Sequence, residues 1–172
     1  MNAGGQRRRL VPSVDLDSSV FLAILKADPS EQYAGSIQGL FAELSQSRTI
    51  VQTSILTIQE CSVSFALNHS DPRKALDLID SIARVQSITE EIALASASLE
   101  ARMRSHATDR GASIPEDNRR RKWDCFHLAT ALEFKCHTLY AIDSHLSRIV
   151  ANLSLPIKAS LPKPNNPTLF QA

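Results

Sequence analysis

An α/β fold built on a central parallel sheet of about five strands is what this sequence predicts, and three observations carry the expectation. Short apolar and β-branched runs alternate along the 172 residues with longer alanine- and leucine-rich stretches of helical period. Hydrophobic residues make up 43% of the chain but aromatics only 5%, so the core has to be assembled from Leu, Ile, Val and Ala, as packed α/β layers commonly are. Four acids, Asp17, Glu60, Asp124 and Asp143, stand near the boundaries of these strands and helices. In open α/β sheets ligands sit beyond the carboxyl ends of the strands.

The first strand is expected near residues 10–16, from Leu10, Val11, Val14 and Leu16, with Asp17 at its end. A helix over 18–27 follows, carrying Val20-Phe21-Leu22-Ala23-Ile24-Leu25. Pro29 fits the break before a second helix at 30–46, because a missing N–H is tolerated in a first turn. Thr49, Ile50 and Val51 predict a strand at 48–52, and Ser54 begins a helix over 54–69 that holds Glu60. Pro72 opens a helix at 72–83, and a short strand is expected at 84–88. Thr89-Glu90-Glu91 has the character of a helix N-terminus, where carboxylates complement the macrodipole, so a helix over 89–108 is expected there. The polar stretch 108–118, with Gly111 and Pro115, is expected to be an exposed loop. A helix over 121–135 places Asp124, Leu128 and Ala131 on one face. The run Thr138-Leu139-Tyr140-Ala141-Ile142 predicts a strand at 137–142 closed by Asp143, then a helix at 144–151 and a last strand at 154–159. Residues 1–9 form a basic N-terminal extension, 10–159 the folded domain and 160–172 a proline-rich tail expected to be flexible. No internal repeat is present.

Carboxylates that are distant in sequence but converge in space can hold divalent metal for phosphate chemistry. Each acid also has a plainer role. Asp17 and Asp143 suit helix N-caps, each worth about 1 kcal/mol. Glu60 completes a capping-box pattern with Thr57, although Ile55 and Leu56 place the helix start earlier. Asp124 follows Arg119, Arg120, Arg121 and Lys122 and could balance their charge. Four such coincidences in order are less economical than one shared site. Oxygen-only ligands point to Mg²⁺ or Mn²⁺. Zinc is disfavoured, because Cys61, Cys125 and Cys136 lack ligand spacing and suit buried structural thiols.

In order and local sequence, the chain resembles a PIN domain, particularly the VapC-type toxins of bacterial toxin–antitoxin pairs. The resemblance runs from about Leu10 to Ala159 and rests on four parts: Asp17 with Ser18 and Ser19, the Ser54-to-Glu60 stretch, the Asp124 helix with His127-Leu128-Ala129, and the strand-end Asp143. It implies a three-layer α/β/α PIN-like domain acting as a metal-dependent endoribonuclease. Asp17, Glu60, Asp124 and Asp143 would be the catalytic metal ligands, with Asp15, Ser18, Ser19, Ser54 and His127 arranged behind them. An RNA substrate, a homodimer and a cognate antitoxin that blocks the cleft are further implications. The chain departs from the family at Ala141, where Ser or Thr is frequent.

Nineteen Lys and Arg against eighteen Asp and Glu leave a net charge of +1, so neutralising four acids would leave the remainder basic. Arg119, Arg120, Arg121 and Lys122 are expected to hold RNA phosphates, because cations at a helix N-terminus oppose its dipole and favour an external anion. Trp123 is a candidate for stacking on a base or for packing. Two other readings compete. Val14-Asp15-Leu16-Asp17 resembles the first motif of haloacid-dehalogenase-type phosphatases, although Ser18 stands where that family commonly has glycine. A catalytically inactive PIN-like binding module is the other. No apolar run reaches membrane-span length and no secretory leader is evident in residues 1–9, so the expected location is the cytoplasm.

Overall fold

The computed structural model describes residues 11–26, 33–109 and 118–163. Five strands form one sheet: β1 (Ser13–Leu16), β2 (Ile50–Ser54), β3 (Arg84–Gln86), β4 (Thr138–Tyr140) and β5 (Lys158–Ser160). All neighbours are parallel, in the order β3-β2-β1-β4-β5. The chain steps outward from β1 to β3 on one side, then restarts at β4 on the other. That reversal leaves a crevice between the carboxyl ends of β1 and β4. Seven helices are described: α1 (Ser18–Lys26), α2 (Ala34–Gln46), α3 (Leu56–Leu67), α4 (Arg73–Ile82), α5 (Glu90–Asp109), α6 (Asn118–Glu133) and α7 (His145–Asn152).

Strand alternation divides the apolar residues between two cores. Val14 and Leu16 of β1 pack with Phe21 of α1, Leu40 and Leu44 of α2, Cys61 of α3 and Ile79 of α4. The second core joins Ile92 and Leu99 of α5, Cys125 and Leu128 of α6, Leu139 of β4 and Leu146 and Ile149 of α7. The result is the expected three layers, with α1–α4 on one face of the sheet and α5–α7 on the other. All three cysteines are buried and free, as the sequence suggested.

Three helices end on a non-glycine residue in the left-handed region: His69 (φ 54°), Lys135 (φ 53°) and Ser154 (φ 48°). In each, the following N–H returns to a carbonyl five residues back: Ser70 to Phe65, Cys136 to Ala131 and Leu155 to Val150. These closures satisfy carbonyls that the helix end leaves bare. The last also explains a shift in β5. Residues 153–157 are used in leaving α7, so the strand begins at Lys158 rather than at 154.

Other boundaries moved too: β1 begins at Ser13 rather than 10, β3 ends at Gln86 rather than 88, and β4 covers Thr138–Tyr140 rather than 137–142, so Asp143 lies beyond the strand end. Pairing of Ser13 with Ile50 and of Ser54 with Gln86 draws Thr53 and Ser54 into β2, which therefore covers 50–54 rather than 48–52, and α3 starts at Leu56. Helix α6 begins at Asn118 rather than 121, so Asp124 lies in its second turn. The expected N-terminal extension at 1–9, and the parts of the loop and tail at 110–117 and 164–172, lie outside the described residues.

Candidate active site at the carboxyl end of the sheet

Each candidate acid is carried to the same end of the sheet by a different element. Asp17 follows β1 directly and is 6% exposed. Its Oδ2 accepts from the backbone N–H of Ser19 at 3.1 Å and from the Ser19 hydroxyl at 2.6 Å. The first bond caps α1, so the plain role of Asp17 is real. It coexists with a site role because Oδ1 faces elsewhere, 3.8 Å from Nε2 of His127. Ser19 Oγ also accepts from the N–H of Ile142 at 3.0 Å, which ties the end of β1 to the segment after β4 across the crevice. A short hydroxyl residue is needed there, since only one such group can both donate to Asp17 and accept from Ile142.

Glu60 lies one turn into α3 and reaches over the strand ends to His127 of α6, with Oε2 3.1 Å from Nε2. The two residues belong to opposite helical layers, so the contact joins those layers above the sheet. Burial drives the Glu60 carboxyl up, but the hydrogen bond and charge of His127 and a hydrogen bond from Ser18 outweigh it and leave the group below its ordinary range. The His127 imidazole is pulled down by burial and lifted by Glu60, Asp17 and Asp15, to about 9. It is therefore an imidazolium at neutral pH, set between carboxylates. The capping box considered for Glu60 does not form. Thr57 is buried and its hydroxyl meets that of Thr53 at 2.7 Å, while Thr53 also donates to the carbonyl of Leu16 at 2.7 Å.

Asp124 and His127 stand three residues apart on one face of α6. Oδ2 of Asp124 lies 2.5 Å from Nδ1 of His145 in α7. Burial raises the Asp124 carboxyl above its ordinary value, His145 opposes that rise, and the charges of Asp17 and Asp143 add to it. The three aspartates thus stand within electrostatic reach of one another. Asp143 is exposed and its Oδ1 accepts from the N–H of His145 at 2.8 Å, but Ser144, not Asp143, stands at the N-cap of α7, so the capping role expected of Asp143 is not the one it has. His145 is the partner of Asp124. Its position two residues after the strand-end acid was the available signal.

Asp15 points away from Val14 and Leu16, as alternation predicts. It has no exposed surface, and neither oxygen has a hydrogen-bond partner among the described residues. Burial, offset in part by His127 and reinforced by Asp17, raises its carboxyl well above the ordinary range. Ser54 is fully buried and accepts from the N–H of Leu56 at 3.3 Å, a cap for α3 rather than a contact with the acids. Of the basic run, Lys122 is exposed in α6, whereas the side chains of Arg119, Arg120 and Arg121 lie outside the described residues.

The four candidate donors are all carboxylates, a type that suits a hard divalent ion. Two of the four are engaged by histidines, and among the described residues no three His, Cys, Asp or Glu side chains form a ready-made ion site. The arrangement can gather negative charge at a mouth open to solvent, with two imidazoles bearing on it.

The model of the PIN domain family matches residues 15–152. No curated protein matches the sequence. Among solved structures, VapBC2 from Rickettsia felis bound to a promoter DNA fragment shares the fold with a TM-score of 0.60 and 12% identity, over 87% of this chain and 98% of that one. VapBC-1 from nontypeable Haemophilus influenzae gives 0.54 and 14%, over 86% and 96%. VapC20 of Mycobacterium tuberculosis, described as a toxin that cleaves the sarcin-ricin loop, gives 0.56 and 15%, over 78% and 93%.

Proposed function

The chain belongs to the PIN domain family, and from that premise we propose that it is a metal-dependent endoribonuclease, the toxin of a type II toxin–antitoxin pair. One observation carries the reading. Asp17, Glu60, Asp124 and Asp143 come from four separate elements to the crevice between β1 and β4, and Asp17 and Asp143 both bear electrostatically on Asp124. Such a gathering has little structural merit of its own, because like charges placed together oppose folding.

Asp17, Glu60, Asp124 and Asp143 would hold Mg²⁺ or Mn²⁺, which when bound supplies the Lewis acidity that activates water and stabilises the departing oxygen of a phosphodiester. The chain's own residues set the stage for that chemistry. Ser19 fixes the rotamer of Asp17 and locks β1 to the segment after β4. His127 and Ser18 hold Glu60, and His145 holds Asp124. Lys122 and the arginines before it would draw the RNA backbone toward the open side. No side-chain nucleophile is required. Asp15 is a poor candidate for one, being sealed from solvent, which weighs against the phosphatase reading. A homodimer and a cognate antitoxin over the cleft complete the proposal; the likeness to VapBC structures supports the antitoxin.

The test pairs cleavage with metal binding. Asp17→Asn and Asp124→Asn keep shape and remove charge, so cleavage of a susceptible RNA should fall by about a hundredfold or more while the circular dichroism spectrum is retained. Calorimetric titration of the parent with Mn²⁺ should show binding that both variants weaken. Full cleavage by either variant would sink the reading, and a parent that binds no divalent ion would favour the inactive binding module. Replacing Arg119, Arg120, Arg121 and Lys122 with Gln should lower the slope of log affinity against log salt by about 0.7 per lost phosphate contact. An unchanged slope would assign the run to a solvated turn.

A further inference from the structure

Immediately before Asp124, on the same turn of α6, stands the chain's single tryptophan. Trp123 is 39% exposed, a large fraction for a side chain that proteins ordinarily cover. It is not a loose ring. Its centroid lies 6.4 Å from that of Phe126, one turn along the helix, with the planes tilted by 39°. Phe126 in turn packs against the core formed by α5, α6, α7 and β4, so the indole is braced from below while part of its surface remains open. Lys122 beside it is exposed, and three arginines precede that lysine in sequence. Apolar side chains elsewhere on the surface, such as Val63 and Leu67 of α3 and Leu94 of α5, have no such run of cations beside them in sequence.

We propose that Trp123 is a stacking platform for an unpaired base of the RNA, next to the phosphate presented to the carboxylates; the proposal rests on the nuclease reading above. A braced, half-open indole next to the exposed Lys122 offers a π-face for a base and positive charge for the adjoining backbone. Stacking of this kind tolerates any base, so the platform selects single-stranded or looped RNA over a continuous duplex rather than selecting a sequence. An apolar contact with a protein partner is the competing use of the same ring, and the charge beside it favours the polyanion.

Because the chain has one tryptophan, fluorescence excited to the red of tyrosine absorption reports on this position alone. The titration uses the full chain carrying Asp17→Asn, with Mg²⁺ present, so that substrate stays uncut. A short single-stranded RNA of mixed sequence should quench the fluorescence, and an abasic ribose-phosphate oligomer of equal length should not. Trp123→Ala should weaken affinity for that RNA by roughly 5- to 150-fold and Trp123→Phe by much less, with the salt dependence unchanged because no phosphate contact is lost. Equal quenching by the abasic oligomer would overturn the platform, as would unaltered affinity in Trp123→Ala or a fluorescence response only to a purified protein partner. These outcomes are separable from failure of the nuclease reading. If the parent cleaves RNA in an Asp17-dependent manner while the indole stays silent, only the platform is lost; if the parent neither binds nor cleaves RNA, both are.

Discussion

Two carboxylate–imidazole pairs share helix α6 and differ in almost everything but their chemistry. His127 is 1% exposed and meets Glu60 of α3, whose side chain is 26% exposed. Asp124 meets His145 of α7, with 18% and 33% of their side chains exposed. The first pair spans the two helical layers above the middle of the sheet; the second lies on one layer, beside the exposed Asp143. In the interior an imidazolium is retained only because several carboxylates surround it, and those carboxylates remain ionised only because it is there. At the rim, water performs much of that service for either partner. The buried pair is therefore part of the fold, and the outer pair is the more open to solvent.

Removing each histidine is the strongest way to break that distinction. His127→Ala leaves Glu60 and Asp17 facing one another without a counter-charge and opens a void, which should lower the unfolding free energy by about 3 kcal/mol. His145→Ala should cost less than about 1 kcal/mol, the range of an exposed pair. Urea denaturation of the metal-free proteins compares them directly, and equal losses would erase the contrast.

A pH series sharpens the same point. Burial lowers the His127 pKa, but its carboxylate partners lift it from the ordinary 6.5 to about 9 in the folded protein. A group whose folded pKa is raised stabilises fully below the unfolded value and loses that contribution as pH rises through the folded one. With chelator present, stability should therefore decline between pH 6.5 and about 9, by about 2–3 kcal/mol, and His127→Ala should show a much flatter profile over that window. An identical slope in the variant would assign the dependence to other groups.

The smallest effect is expected beneath the buried pair. Asp15 is sealed under the pair with its carboxyl raised by burial, so the isosteric Asp15→Asn should change RNA cleavage less than about tenfold and stability by less than about 1 kcal/mol. Abolition of phosphate release from a small phosphomonoester by this substitution would instead revive the phosphatase motif.

Much of the frame was legible without coordinates. Period-two alternation placed Val14 and Leu16 against Asp15, and the structure seals Asp15 on the far face of β1 from those two. The positions of α1, α4 and α7 followed from apolar periodicity with capping residues at their starts. Where boundaries slipped, neighbours in space were responsible. Thr53 and Ser54 carry no apolar signal, yet pairing with Val85 and Gln86 makes them strand. Asp124 looked like a helix start because apolar residues begin there, whereas the helix extends back through a basic turn that periodicity does not register.

The sequence by itself determined the layered α/β class, the identity of the four acids and their order, because strand and helix patterns are local and strand-end carboxylates are conspicuous in composition. It also indicated the capping role of Asp17. What only the tertiary structure decided is who faces whom. Nothing in local pattern pairs Glu60 with His127 across 67 residues, or sends His145 back to Asp124 rather than to solvent. Those choices depend on strand order, which brings β4 beside β1, and on the depth at which each group comes to rest. Depth sets the local dielectric, and with it one acid beside an imidazole falls below its ordinary range while another, two residues from Asp17, is raised well above it.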